Sequence, residues 1–215
     1  LVKKNAFWTW FEQEAEPNLA HRASTFRQMF EYLDQQSGPI CIIETGCARA
    51  AGNWAGDGQS TVLFDRYVTE RGTDSQVITV DLSEQSVVAC RLLVGDQTTV
   101  AQADSVRYLD HLVRTADGLH PNLVYLDSYD LDWDYWFPSA AHCLKEFSAI
   151  HPLLKPNTLT VTDDSPAVTH IMESGERTII SGAKPAGKGR LLAEYAQQVG
   201  IEPLFAQYQI GWIGL

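Results

Sequence analysis

The run Ile43-Glu44-Thr45-Gly46-Cys47-Ala48-Arg49, continued through Asn53-Trp54 to Gly56-Asp57-Gly58-Gln59-Ser60-Thr61, carries most of the architectural information in this chain. A short β-branched run, Ile40 to Thr45, stops at a glycine, and a glycine just past a strand lets a ligand approach the backbone closely. Ser60 and Thr61 are suited to open the next helix, whose free amides can hold a carboxylate. Taken alone, the segment also reads as a glycine-rich surface loop. Two phosphate-binding patterns fit it less well. A Walker loop ends in Gly-Lys-Ser/Thr, and this loop has no lysine. The dinucleotide fingerprint needs a third glycine or alanine where Thr61 stands.

Similar apolar runs recur along the chain at Val77 to Leu82, Thr98 to Ala101, Asn122 to Asp127 and Thr158 to Thr162, separated by helical stretches. Strands alternating with helices predict βαβ units and a largely parallel sheet, with ligands at the carboxyl ends of the strands. Near the end, a helix from Arg190 to Val199 stops at Gly200. Two short apolar runs follow, Glu202 to Ala206 and Tyr208 to Gly214, too close together for a parallel crossover. Residues 1–37 carry apolar side chains at helical spacing (Phe7, Phe11, Leu19, Phe26, Met29, Phe30, Leu33), interrupted by Pro17. The expectation is one α/β domain over residues 1–215. Its helical cap spans 1–37, and its core, 38–215, is a Rossmann-like, doubly wound, mostly parallel seven-stranded sheet with a C-terminal antiparallel hairpin. Trp8 and Trp10 either pack the cap on the sheet or form a substrate-facing lip.

The acidic residue that closes the second strand, Asp81, is placed to accept hydrogen bonds from both ribose hydroxyls of a nucleoside. The third strand leads into Ala103-Asp104-Ser105, where Asp104 is equally explained as a helix N-cap. The fourth ends in Asp127-Ser128-Tyr129-Asp130, and the fifth in Asp163-Asp164-Ser165-Pro166. In a doubly wound sheet the fourth and fifth ends are neighbours, so Asp127, Asp163 and Asp164 should converge. Like charges at short range call for a cation or a shared proton, and hard oxygen ligands suit Mg²⁺, Ca²⁺ or Mn²⁺. The alternative is that these aspartates only cap loops.

The E-x-G segment at Glu44 and Gly46, followed by Gly58-Gln59-Ser60-Thr61, resembles motif I of class I methyltransferases, with an insertion between the two glycine positions. That resemblance implies S-adenosylmethionine as cofactor, held by Glu44, Gly46, Gly58, Ser60, Thr61, Asp81 and Asp127, with Asp104 and Ser105 beside the adenine. The D…DD set resembles the cation-dependent O-methyltransferases of the catechol and macrocin sugar types. This likeness implies a metal at Asp127, Asp163 and Asp164, a small hydroxylated acceptor such as a sugar or natural-product intermediate, and direct transfer of the methyl group to oxygen. Where the catechol type has its basic lysine, this chain has Asp130. Asp130 is therefore the expected general base, with Tyr129 the alternative and His142 or His170 behind it. Homodimers are common in these families, though nothing in the sequence requires one. The aromatic run Trp133, Tyr135, Trp136, Phe137 either walls the acceptor pocket or anchors the next helix, and Gly175 to Arg190 reads as a lid or a plain surface loop.

Composition narrows the remaining classes. The 215 residues are 45% apolar and carry a net charge of −11, which argues against a general affinity for nucleic-acid backbones. Cys41, Cys47, Cys90 and Cys143 show no metal-ligand spacing and read as buried free thiols, which suggests a reducing, cytoplasmic setting. No apolar run approaches a membrane span. The competing functions are a nucleotide-dependent oxidoreductase, which would use Asp81 the same way, and a non-catalytic module that binds S-adenosylmethionine.

Overall fold

The computed structural model describes residues 6–72, 74–167, 170–171, 178–179 and 184–215. Strands β1 (Cys41–Thr45), β2 (Gln76–Asp81), β3 (Thr98–Gln102), β4 (Leu123–Leu126) and β5 (Leu159–Thr162) alternate with helices, as the apolar runs predict. They lie in the order β3-β2-β1-β4-β5, all parallel. The short pair β6 (His170–Ile171) and β7 (Thr178–Ile179) forms a separate two-stranded ladder. The sheet is completed by β9 (Ile210–Ile213), antiparallel to β5, and by β8 (Phe205–Ala206) on its outer side. This is the expected seven-stranded sheet with its antiparallel finish.

Both faces are covered, which explains why β1 and β4 are buried along their whole length. Alternation along each strand sorts side chains to one face or the other. Ile42 pairs with Leu123 and Ile43 with Val124, and the two pairs enter different cores. The first core is roofed by α1 (Ala6–Trp10), α2 (Ala23–Asp34) and α4 (Ser60–Arg71), through Phe7, Phe26, Phe30, Phe64 and Tyr67, with Phe11 just beyond α1. The second is roofed by α6 (Ser105–Thr115), α7 (Phe137–Ile150) and α8 (Arg190–Val199). A short turn, α3 (Trp54–Asp57), lies within the motif I insertion, and α5 (Glu84–Arg91) sets Val87 and Cys90 against Val100 of β3.

The N-terminal cap packs on the sheet. Its first helix passes into a π turn at Phe11–Ala15, and two 3-10 turns, Glu16–Asn18 and Ala20–Arg22, carry the chain past Pro17 into α2. Trp8 is tied by its indole N–H to Asp34 at 2.6 Å, Trp10 lies against Trp54 and under the Arg66 guanidinium, and Phe7 meets Phe11, Phe30 and Tyr67, so both tryptophans pack against the first core. All four cysteines are buried and free. Among the described residues no helix is long and apolar enough to cross a membrane.

Candidate active site

Because β1 to β5 are parallel, their carboxyl ends share one edge of the sheet. The strand order reverses between β1 and β4, and a crevice opens outside that edge at such a switch point. Gly46 and Asp127 face each other there. A Cβ on Gly46, whose φ is +80°, would lie 2.6 Å from the Asp127 carbonyl oxygen, so the glycine is demanded by the two loops' own approach. A Cβ on Gly58, whose φ is +70°, would lie 2.9 Å from Arg22 Cδ.

Glu44 is fully buried and accepts hydrogen bonds from Ser60 Oγ at 2.5 Å and Thr61 Oγ1 at 2.7 Å. Burial pushes its carboxyl up to about 7 against the pull of those hydroxyls. Thr61 Oγ1 also accepts from the Ala48 amide at 2.9 Å, which fastens the glycine loop to the start of α4. The hydroxyls of Ser60 and Thr61 thus serve the loop's own structure. Asp81 accepts from the Cys47 amide at 3.2 Å and the Ser83 amide at 2.7 Å. A small cavity lies between Gly46, Arg49, Asp57, Ser60 and Asp127, and Asp57 Oδ2 is buried without a partner. An orphaned carboxylate oxygen beside an arginine suits the ammonium and carboxylate of an amino-acid ligand, so these residues fit the methionine end of the expected cofactor.

The other expected residues are placed as follows. Asp104 caps α6, accepting from the Arg107 amide at 3.0 Å. Ser105 Oγ meets His142 Nε2 at 3.0 Å, and His142 lies 3.4 Å from the buried Glu146, which takes the Ser128 hydroxyl. Asp130, with its side chain 80% exposed, pairs with Arg49 at 2.6 Å across the mouth of the crevice. Tyr129 is exposed and lies beside His142. Trp136 is covered by the Arg190 guanidinium at 4.6 Å, while Tyr135 and Phe137 are exposed. The side chain of His170 and residues 175–177 and 180–183 of the expected lid lie outside the described residues.

Asp127, Asp163 and Asp164 converge as expected, offering carboxylate oxygens within 4.8 Å of one another. Two cations that the spacing of the chain did not point to already meet them. Arg22, from the helical cap, donates through Nε to both oxygens of Asp163 at 3.0 Å and reaches Asp164 Oδ1 at 3.1 Å. Lys188 bonds Asp127 Oδ1 and lies 3.1 Å from Asp164 Oδ2. Gln209 Nε2 donates to Asp163 at 2.9 Å and the Tyr208 hydroxyl to Asp164 at 2.7 Å. Burial alone would lower Arg22 and Lys188, but the surrounding carboxylates outweigh it and hold both above their ordinary values. Burial would raise Asp164, yet Lys188 and Arg22 bring it down to about 2. Asp127 moves up through burial, against Lys188.

The oxygen-only donor set has the chemistry of a hard cation site. Asp163 is committed to Arg22 and Gln209, so Asp127 and Asp164 are the residues that would hold a divalent ion, and both now carry the ammonium of Lys188.

No model of a known protein family matches the chain, and no curated protein does. Solved structures do. MycE, a methyltransferase from the mycinamycin biosynthetic pathway in complex with Mg, SAH and mycinamycin VI, superposes with a TM-score of 0.57 at 14% identity, over 90% of this chain and 48% of its own. This chain has a class I methyltransferase fold. It spans about half the length of the MycE chain. The apo structure of CalS11, a TDP-rhamnose 3'-O-methyltransferase of calicheamicin biosynthesis, matches with a TM-score of 0.52 at 11% identity, covering 96% of this chain and 86% of that one. NSun6 from Pyrococcus horikoshii, bound to SFG, gives 0.53 at 11%, over 87% and 50%.

Proposed function

We propose that the protein is an S-adenosylmethionine-dependent O-methyltransferase acting on a small hydroxylated acceptor, a sugar or a natural-product intermediate, with a magnesium ion held at the aspartate trio by Asp127 and Asp164. The observation that carries this reading is the meeting of the glycine loop, Asp81 and the trio at one switch point of a methyltransferase-type sheet. MycE, which shares the fold, was solved with Mg, SAH and mycinamycin VI.

Asp81 would take the ribose hydroxyls, Asp104 and Ser105 the adenine side, and Glu44, Gly46, Gly58, Ser60 and Thr61 would shape the loop around the amino-acid end. When bound, the cofactor supplies an electrophilic methyl group on sulfonium sulfur, and magnesium supplies charge that favours the acceptor's alkoxide. Asp127 and Asp164 would hold that ion, Asp163 standing behind them on Arg22. The chain's own contribution is to fix the acceptor oxygen in line and at close range. Asp130 is the proposed proton acceptor, with Tyr129 as alternative. Asp130 carries Arg49 on Oδ1 at 2.6 Å, and its side chain is largely exposed.

The test is calorimetric titration of S-adenosylhomocysteine into the protein in Mg²⁺ and in EDTA, followed by turnover of hydroxylated acceptors in both. Binding in both with metal-dependent turnover supports the reading. No binding in either overturns it and turns attention to nicotinamide cofactors.

A further inference from the structure

We propose that Lys188 is a built-in counter-ion of the aspartate trio, which a divalent cation has to displace in order to bind. The inference rests on the metal reading above and deepens it.

The placement of Lys188 is constructed. It is 4% exposed, and its ammonium bridges Asp127 and Asp164. It sits between two glycines that are tightly enclosed. A Cβ on Gly187 would lie 1.9 Å from the Asp164 carbonyl oxygen, and one on Gly189 would lie 2.3 Å from Thr162 Oγ1. The backbone is tied along the same segment. The Ala186 amide donates to Pro166 at 3.0 Å, the Lys188 amide to the Asp164 carbonyl at 3.1 Å, and the Gly189 amide to Ser165 Oγ at 2.7 Å. This loop therefore aims one lysine at the trio at close range.

Charge then makes the ammonium and a divalent ion mutually exclusive. Arg22 and Lys188 leave three carboxylates with one uncompensated negative charge. A divalent ion added beside both would set four positive charges against three negative ones in a buried space, and like charges there repel strongly. Arg22 is the fixed member, holding Asp163 through both oxygens. Lys188 is the member that can leave, because it ends on a flexible four-carbon stem. Its departure frees Asp127 Oδ1 and Asp164 Oδ2 without disturbing the Tyr208 bond to Asp164 Oδ1.

Mn²⁺ serves as the probe, its binding followed by electron paramagnetic resonance in wild type and in Lys188→Met, which keeps the stem and removes the charge. The variant should bind Mn²⁺ tighter by a factor on the order of ten or more. Equal or weaker binding overturns the proposal. A second measurement needs no variant: wild-type protein is treated with an amine-acetylating reagent with and without saturating Mn²⁺, and modification of Lys188 is read by mass spectrometry. Labelling of Lys188 that rises with metal supports displacement, and labelling indifferent to metal overturns it. Failure of both proteins to bind Mn²⁺ overturns the exchange and the metal reading together. S-adenosylhomocysteine binding in the same samples tests the cofactor site independently.

Discussion

Arg22 and Asp163, 141 positions apart, form a two-point ion pair in which the guanidinium Nε lies 3.0 Å from each carboxylate oxygen. The pair bolts the N-terminal cap to the carboxyl end of β5, and both partners are almost fully buried. It makes the cap part of the site's floor.

Removing one partner of a buried pair strands the other charge. Arg22→Met should therefore cost about 3–5 kcal/mol of stability. Arg22→Met combined with Asp163→Asn should cost less than the single change, because no unpaired charge is left. Urea unfolding of the two proteins checks the order, and equal losses would show that packing of the arginine stem, not charge, is what counts.

Gly187 and Gly118 share nearly the same backbone, φ +70° and +76°, but a Cβ at Gly118 meets nothing within 4 Å. Gly118→Ala should cost only the conformational term, about 1 kcal/mol. Gly187→Ala adds a collision with the Asp164 carbonyl and should cost about 1–3 kcal/mol more while shifting Lys188 off the trio. Thermal unfolding of both variants gives the comparison.

Glu44 makes stability depend on pH. Its folded value of about 7 lies above the ordinary 4.5, so between the two the folded chain keeps a proton that the unfolded chain has released. The resulting stabilisation is full below the lower value and is lost as pH rises through the upper one, about 3 kcal/mol in all. Glu44→Gln should flatten this loss, measured as the difference in unfolding free energy between about pH 5 and about pH 8. A variant with the wild-type slope would place the effect elsewhere.

Asp81 presents two carboxylate oxygens at the end of β2, one on the Cys47 amide of the glycine loop. If it also takes the ribose, Asp81→Ala should weaken S-adenosylhomocysteine binding by a factor on the order of a hundred. Calorimetry decides it, and an unchanged affinity would remove Asp81 from the cofactor site.

The sheet was legible because its signals are local. Each of the five parallel strands is a short apolar run, each crossover is long enough for a helix, and the last two runs are too close for anything but an antiparallel pair. The convergence of Asp127, Asp163 and Asp164 was legible too, since parallel strands put those ends on one edge. The reason for Gly46 was only half visible: the sequence marks a close approach, while the tertiary structure shows the approaching group to be the Asp127 carbonyl.

The sequence by itself determined the fold and the positions at which acidic residues meet. Only the tertiary structure decided which cations meet them. Arg22 ends a short 3-10 turn of the cap and Lys188 lies in a glycine-rich run before α8, and neither carries a spacing that ties it to the trio. The physical reason is range. Periodicity reports which face of an element is buried, whereas the pairing of buried charges is settled by distances of a few ångströms between segments far apart in the chain.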